Sequence, residues 1–121
     1  MKNKLITLLE TFKYPVFLQG SMNPDAEYPP AFFTYWNNET PDRSHYDNRV
    51  IDWVWDFDVN FYANDPTLVN TVLWQAAELL RQNGFIIVGK GYDLASDEDT
   101  HTGRGIDVLI IERNEGNANA E

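Results

Sequence analysis

The sequence predicts an α+β domain, a mainly antiparallel sheet of four to five strands with two helices packed on it. Three observations predict it. First, Val50 to Ala63 alternates almost without error: Ile51, Trp53, Trp55, Phe57, Val59, Phe61 and Ala63 share one parity, and Asp52, Asp56, Asp58 and Asn60 share the other. Val54 and Tyr62 are the apolar exceptions on the acidic side. Successive strand side chains point to opposite faces, so this is one long strand with an oily side and an acidic side. Second, a helix follows at once, with Leu68, Val69, Val72, Leu73, Ala76, Leu79 and Leu80 at helical spacing over residues 66–83. Third, the elements run helix, strand, strand, strand, helix, strand, strand, an order that fits a mainly antiparallel sheet carrying its helices.

Each element has a local cause. Residues 2–13 form the first helix, its stripe made by Leu5, Ile6, Leu8, Leu9 and Phe12. Tyr14-Pro15 ends it, because the residue before proline is pushed out of the helical region. Val16-Phe17-Leu18-Gln19 is a short first strand, and Gly20 to Pro30 is a loop marked by Asn23-Pro24-Asp25 and Pro29-Pro30. Ala31 to Trp36 is dense in strand formers. The polar stretch from Asn37 to Asn48 joins it to the long strand as an extended hairpin connection. Asn64 or Asp65 caps the second helix, Pro66 suits its first turn, and Asn83-Gly84 closes it in a left-handed cap. Phe85 to Val88 is a strand that continues toward Tyr92, Asp93 to Gly105 an acidic loop, and Ile106 to Glu112 the last strand.

With 121 residues the chain makes one domain, residues 1–113, and 114–121 has no apolar residue larger than alanine and reads as a disordered C-terminal tail. Hydrophobic content of 43% and aromatic content of 14% support a folded core of ordinary size. No cysteine is present, which excludes disulfides, thiolate metal sites and a cysteine nucleophile. Thr7, Glu10 and Thr11 interrupt the first apolar stretch, so it reads as an amphipathic helix rather than a signal peptide, and no run approaches the roughly 20 apolar residues of a membrane span. A formal net charge of −10 opposes binding to nucleic acid phosphates and favours solubility or basic partners. No nucleic acid, membrane, metal or cofactor is therefore expected as a partner.

No constellation of catalytic residues stands out. Asp97, Glu98, Asp99 and His101 lie close in sequence, yet their spacing misses the calcium-loop pattern, and a hydrated loop explains them. Asp56 and Asp58 lie roughly 7 Å apart along one strand face. That separation permits paired-carboxylate chemistry but is equally the polar side of a half-buried sheet. His45 and His101 are the only histidines, and Ser44 or Ser96 has no nucleophile elbow around it. Gly89-Lys90-Gly91 and Gly103-Arg104-Gly105 each place a cation between glycines, without phosphate-loop spacing; turns or bulges that need glycine explain both. Trp36, Trp53, Trp55 and Trp74, with six tyrosines and seven phenylalanines, are a load that a sheet this small hardly buries whole, so Trp36 and Trp53 are either core or interface residues.

Leu8-Leu9-Glu10-Thr11, Tyr14 to Ser21, Phe32-Phe33-Thr34-Tyr35-Trp36-Asn37, Tyr46-Asp47-Asn48 and Ala95 to Arg104 together resemble a family of small proteins from the head–tail gene modules of long-tailed (siphovirus-type) bacteriophages and prophages of Gram-positive bacteria. The likeness spans most of residues 5–112, and the order of elements is similar to that of tail terminator proteins. That resemblance implies a tail-terminator-like fold and a virion structural protein that is not an enzyme. It implies a ring, usually hexameric, at the end of the tail tube, joining tail to head. The implied partners are further copies of the chain, the tail tube protein and a head completion or connector protein. The implied location is the head–tail junction of the virion, with the host cytoplasm during assembly. A head-closure or other tail-assembly role in the same module is the alternative, and a small hydrolase using the 97–101 loop is a remote one. Trp36, Asp52, Asp56, Asp58, Asp97, Glu98 and Arg104 are the expected interface residues; no catalytic or cofactor residue is expected.

Overall fold

The computed structural model describes residues 1–21, 28–38, 44–46, 49–95 and 100–113, with backbone only at 44–46, 49–52 and 113. The fold is α+β, with a five-strand mixed sheet and two helices. The elements are α1 (Lys2–Glu10), β1 (Val16–Leu18), β2 (Ala31–Asn38), β3 (Ser44–Tyr46), β4 (Arg49–Ala63), α2 (Pro66–Gln82), β5 (Ile86–Leu94) and β6 (Thr102–Arg113). The five strands run β1-β2-β4-β6-β5, and β3 pairs with β4 beside this path. The expected tail of residues 114–121 lies outside the described residues.

β4 is the axis. Its 15 residues span roughly 50 Å, with β2 on one side from Asp56 to Ala63 and β6 on the other from Asp52 to Ala63. Both neighbours are antiparallel to it. β5 is antiparallel to β6 and so parallel to β4, which makes β4-α2-β5 a crossover with β6 returning between its strands. α2 starts where Asp65 accepts the backbone N–H of Thr67 at 3.1 Å, with Pro66 as its first residue. It ends in a Schellman turn: Phe85 N–H bonds Leu80 O at 3.0 Å, Gly84 N–H bonds Arg81 O at 3.2 Å, and Gly84 takes φ 95°.

The core lies between the two helices and one face of the sheet. Leu5 and Leu9 of α1 and Val69, Val72, Leu73, Ala76, Ala77 and Leu80 of α2 cover Phe33, Phe57, Val59, Phe61, Ile106 and Val108. Phe33 and Phe61 meet at 4.8 Å between ring centroids, with Tyr14 edge-on to Phe61 at 5.3 Å. Burying a phenylalanine of this kind is worth about 2–3 kcal/mol, which is why the helices sit where the oily side of β4 is densest.

Several expectations need correction. β1 runs parallel to β2, so the sheet is mixed. A short strand, β3, lies in the stretch expected to be loop, bridging Ser44 to Asp52 across from β4. The expected loop from Asp93 to Gly105 is shorter, because β5 runs to Leu94 and β6 begins at Thr102. α1 stops at Glu10 rather than 13: the Thr11 hydroxyl donates back to Leu8 O at 2.6 Å and Lys13 adopts φ 66°. Finally, the oily side of β4 is not covered throughout. Phe57 to Ala63 is buried under the helices, whereas Trp53 is exposed and Trp55 half-buried, its indole N–H donating to Glu112 at 2.8 Å.

The two cation-between-glycine motifs turn out to be one device. Gly89-Lys90-Gly91 is the bulge where the β5–β6 register shifts between Val88 and Tyr92, with Gly89 at φ 76° and Gly91 at φ 86°. Arg104 fills the gap, donating to Lys90 O at 2.9 Å and to the Asp93 carboxylate at 2.7 Å. A bulge on β5, at the end of the sheet, also roughens an edge that would otherwise invite strand pairing.

Candidate functional site

Strand alternation and register define a second face, on the side of the sheet away from the helices. Across the strands it reads Phe32, Tyr62, Gly103 and Leu94; then Thr34, Asn60, Gly105 and Tyr92; then Trp36, Asp58, Asp107 and Val88; then Asn38, Asp56, Leu109 and Ile86. Its two ends differ. At the Phe32 end, local chain covers the sheet. Tyr28 stands edge-on to Phe32 at 5.5 Å, Tyr62 stacks on Phe32 at 5.3 Å, and His101 lies 5.5 Å from the Tyr28 ring. At the Trp36 end nothing among the described residues covers it: Trp36 is 46% exposed, Ile86 50%, Val88 44% and Tyr92 40%.

In the middle of that open end, Asp58 and Asp107 sit directly across β4 and β6, with Asp56 on the same face one pleat away. Asn38 Nδ2 donates to Asp58 at 3.0 Å and to Asp56 at 3.3 Å, and the Tyr92 hydroxyl donates to Asp107 at 3.4 Å. Among the described residues no lysine or arginine pairs with any of the three. Like charges directly opposite in a sheet repel. Asp107 is accordingly raised to about 6, first by its hydrogen bond with Asp58, then by burial, then by the charges of Asp58 and Asp56. Burial, then the charges of Asp58 and Asp107, raise Tyr92 to about 12, so its hydroxyl stays a donor.

This has a consequence for stability. Asp107 holds its proton more tightly in the folded chain than in the unfolded one, where the value is about 3.9. The associated stabilisation is complete below that value and is lost as pH rises through about 6. The pair is open to water, so screening trims the effect to about 1 kcal/mol. Asp107→Asn keeps a donor toward Asp58 and removes the charge. It is expected to be more stable than the wild type by about 1 kcal/mol at pH 7.5, with the advantage gone at pH 4, measured by urea unfolding. Equal stability at pH 7.5 would show the two carboxylates to be independent.

The expected interface residues therefore separate. Trp36, Asp56 and Asp58 come together on the open face. Asp52 is paired in the backbone with Ser44 and Arg113, and its side chain lies outside the described residues, as do Asp97, Glu98 and Asp99 with Ser96. Arg104 has the parity of the helix-side face and is spent on the β5 bulge. His101 is buried and engaged at both ring nitrogens, Nε2 with Pro29 O at 2.8 Å and Nδ1 with Thr100 Oγ1 at 2.9 Å. Among the described residues no three His, Asp or Glu side chains are disposed to hold a metal, and no helix is long and apolar enough to cross a membrane.

Asp107, Val88, Ile86 and Tyr92 join the site without having been singled out from the sequence. The available signal was Asp107 itself, a lone charge inside the apolar run Ile106 to Ile111. The arrangement offers exposed rings and aliphatic side chains around carboxylates that no described lysine or arginine pairs. Neither a scan against protein-family models nor a search of curated proteins finds a match for this chain.

Proposed function

We propose that this chain is a phage virion structural protein that assembles by self-association into a ring at the end of the tail tube and joins tail to head, as a tail terminator does. It works in the host cytoplasm during assembly and at the head–tail junction of the virion, with the tail tube protein and a head completion or connector protein as its partners. The resemblance of residues 5–112 to head–tail module proteins motivates the reading. The observation that carries it is the sheet's open face, where Trp36, Ile86, Val88 and Tyr92 remain exposed beside three carboxylates. Exposed apolar side chains clustered this way mark association surfaces, and aromatic anchors are enriched in them. Engagement of both His101 ring nitrogens favours association over a hydrolase built on that histidine.

Electron microscopy of the purified chain at high concentration, alone and mixed with tail tube protein, tests this. Closed rings, or rings capping tube ends, are expected. A species that stays monomeric in both samples would overturn the reading. Binding at the portal-side connector without any contact to the tube would point instead to a head-closure role in the same module.

A further inference from the structure

The open sheet face has a counterpart on the other side of the molecule. Three of the nine basic residues, Lys2, Lys4 and Lys13, fall within the first thirteen positions, against the single acid Glu10. Lys2 and Lys4 are exposed on α1, and α1 packs with α2 on the helix side of the sheet. Lys4 Nζ lies 5.7 Å from the Phe85 ring centroid, where Gly84 and Phe85 close α2. The same layer exposes Trp74 of α2. A cationic island with an aromatic neighbour thus lies on one side of the sheet, and an anionic island with Trp36 and Val88 lies on the other.

We infer that the helix layer of one copy docks on the open sheet face of a second copy, with Lys2 and Lys4 meeting Asp58 and Asp107 and the exposed tryptophans packing around them. The inference rests on the ring reading for its closure, but not for the contact itself. Charge complementarity selects a second copy as the occupant. At a net charge of −10, random approaches of two copies repel, and a register that brings the lysines onto the aspartates is the one relieved of that repulsion. Because the two islands lie on opposite layers, the contact is head-to-tail: each copy offers one donor face and one acceptor face, and repetition gives a closed ring or an open filament. The contact also supplies Asp58 and Asp107 with the cations they lack within the described part of their own chain.

Charge exchange tests this, read by sedimentation velocity and electron microscopy. Lys2→Glu with Lys4→Glu, and separately Asp58→Lys with Asp107→Lys, are each expected to weaken association roughly tenfold or more. All four changes in one chain are expected to restore it, and raised salt should weaken the wild-type contact. The lysine pair is on an exposed helix surface, so that arm reads association without disturbing the core; circular dichroism checks the folding of the aspartate arm. Rings that form equally well in every variant would overturn this contact and leave the ring reading standing. Open filaments that respond to charge exchange would support the contact and overturn ring closure. A wild type that stays monomeric, alone and with tube protein, would overturn both.

Discussion

Replacing His101 by alanine is expected to lower the free energy of unfolding by about 3 kcal/mol. The imidazole is only 8% exposed and ties two separate stretches of chain together. A carbonyl can only accept, so the 2.8 Å contact with Pro29 O fixes the proton on Nε2, and Nδ1 then accepts from the Thr100 hydroxyl at 2.9 Å. Alanine would leave the Pro29 carbonyl without that donor, and a buried polar group left unpaired costs about 1–3 kcal/mol. It would also open a cavity beside Tyr28 and Phe32, whose rings lie 5.5 and 6.1 Å from the imidazole. Urea unfolding measures the total, and His101→Gln, which can still reach one partner, should cost less. A catalytic histidine would behave in the opposite way: alanine would abolish an activity and leave stability nearly unchanged.

Gly105→Ala is expected to cost about 2 kcal/mol, although alanine is the better residue on backbone grounds alone. Gly105 lies on β6 opposite Asn60 and Tyr92. A methyl group there would fall on Asn60 Oδ1 and stand 2.9 Å from Tyr92 Cε2. Asn60 has little room to yield. It is 96% buried, and its Nδ2 already donates to Thr34 Oγ1 at 3.2 Å and leans toward Gln19 Oε1 at 3.5 Å. Gly103 has the same function one pleat away, where a methyl would come within 2.5 Å of Tyr62 Cδ1. The second change Asn60→Ala should recover part of the loss, because neighbours sharing one space are not additive. A Gly105→Ala protein as stable as the wild type would mean that the Tyr92 ring and Asn60 move aside freely, and that this end of the face is not rigidly packed.

The two glycine-rich motifs show where sequence reading runs short. Gly89 and Gly91 read as turn or bulge glycines in a strand, whereas Gly103 and Gly105 fall in the expected acidic loop, because glycine weakens a strand in isolation. Here they are strand residues: two make the β5 bulge and two make room for tyrosine rings from neighbouring strands. That role depends on pairing partners distant in sequence, which no local pattern supplies. The long strand and α2 were legible because their signals are local, a two-residue period in one and a 3.6-residue period between Asp65 and Gly84 in the other. The parallel β1–β2 pairing was not, since three residues of Val16–Leu18 carry no information on direction.

The site divides the same way. Trp36, Asp56 and Asp58 were legible as members of one face, by parity alone. Asp107 was not, because its meeting with Asp58 is fixed by the β4–β6 register across 49 positions of sequence. His101 read as part of a hydrated acidic loop and is instead buried in an aromatic cluster, brought there by the turn into β6.

Hydroxyl-radical footprinting of the dilute and the assembled chain tests most directly the claim that the open sheet face is the surface of association. Trp36 and Tyr92, exposed on that face, are expected to lose most of their reactivity on assembly. Assembled particles in which Trp36 and Tyr92 react as they do in the monomer would contradict the account.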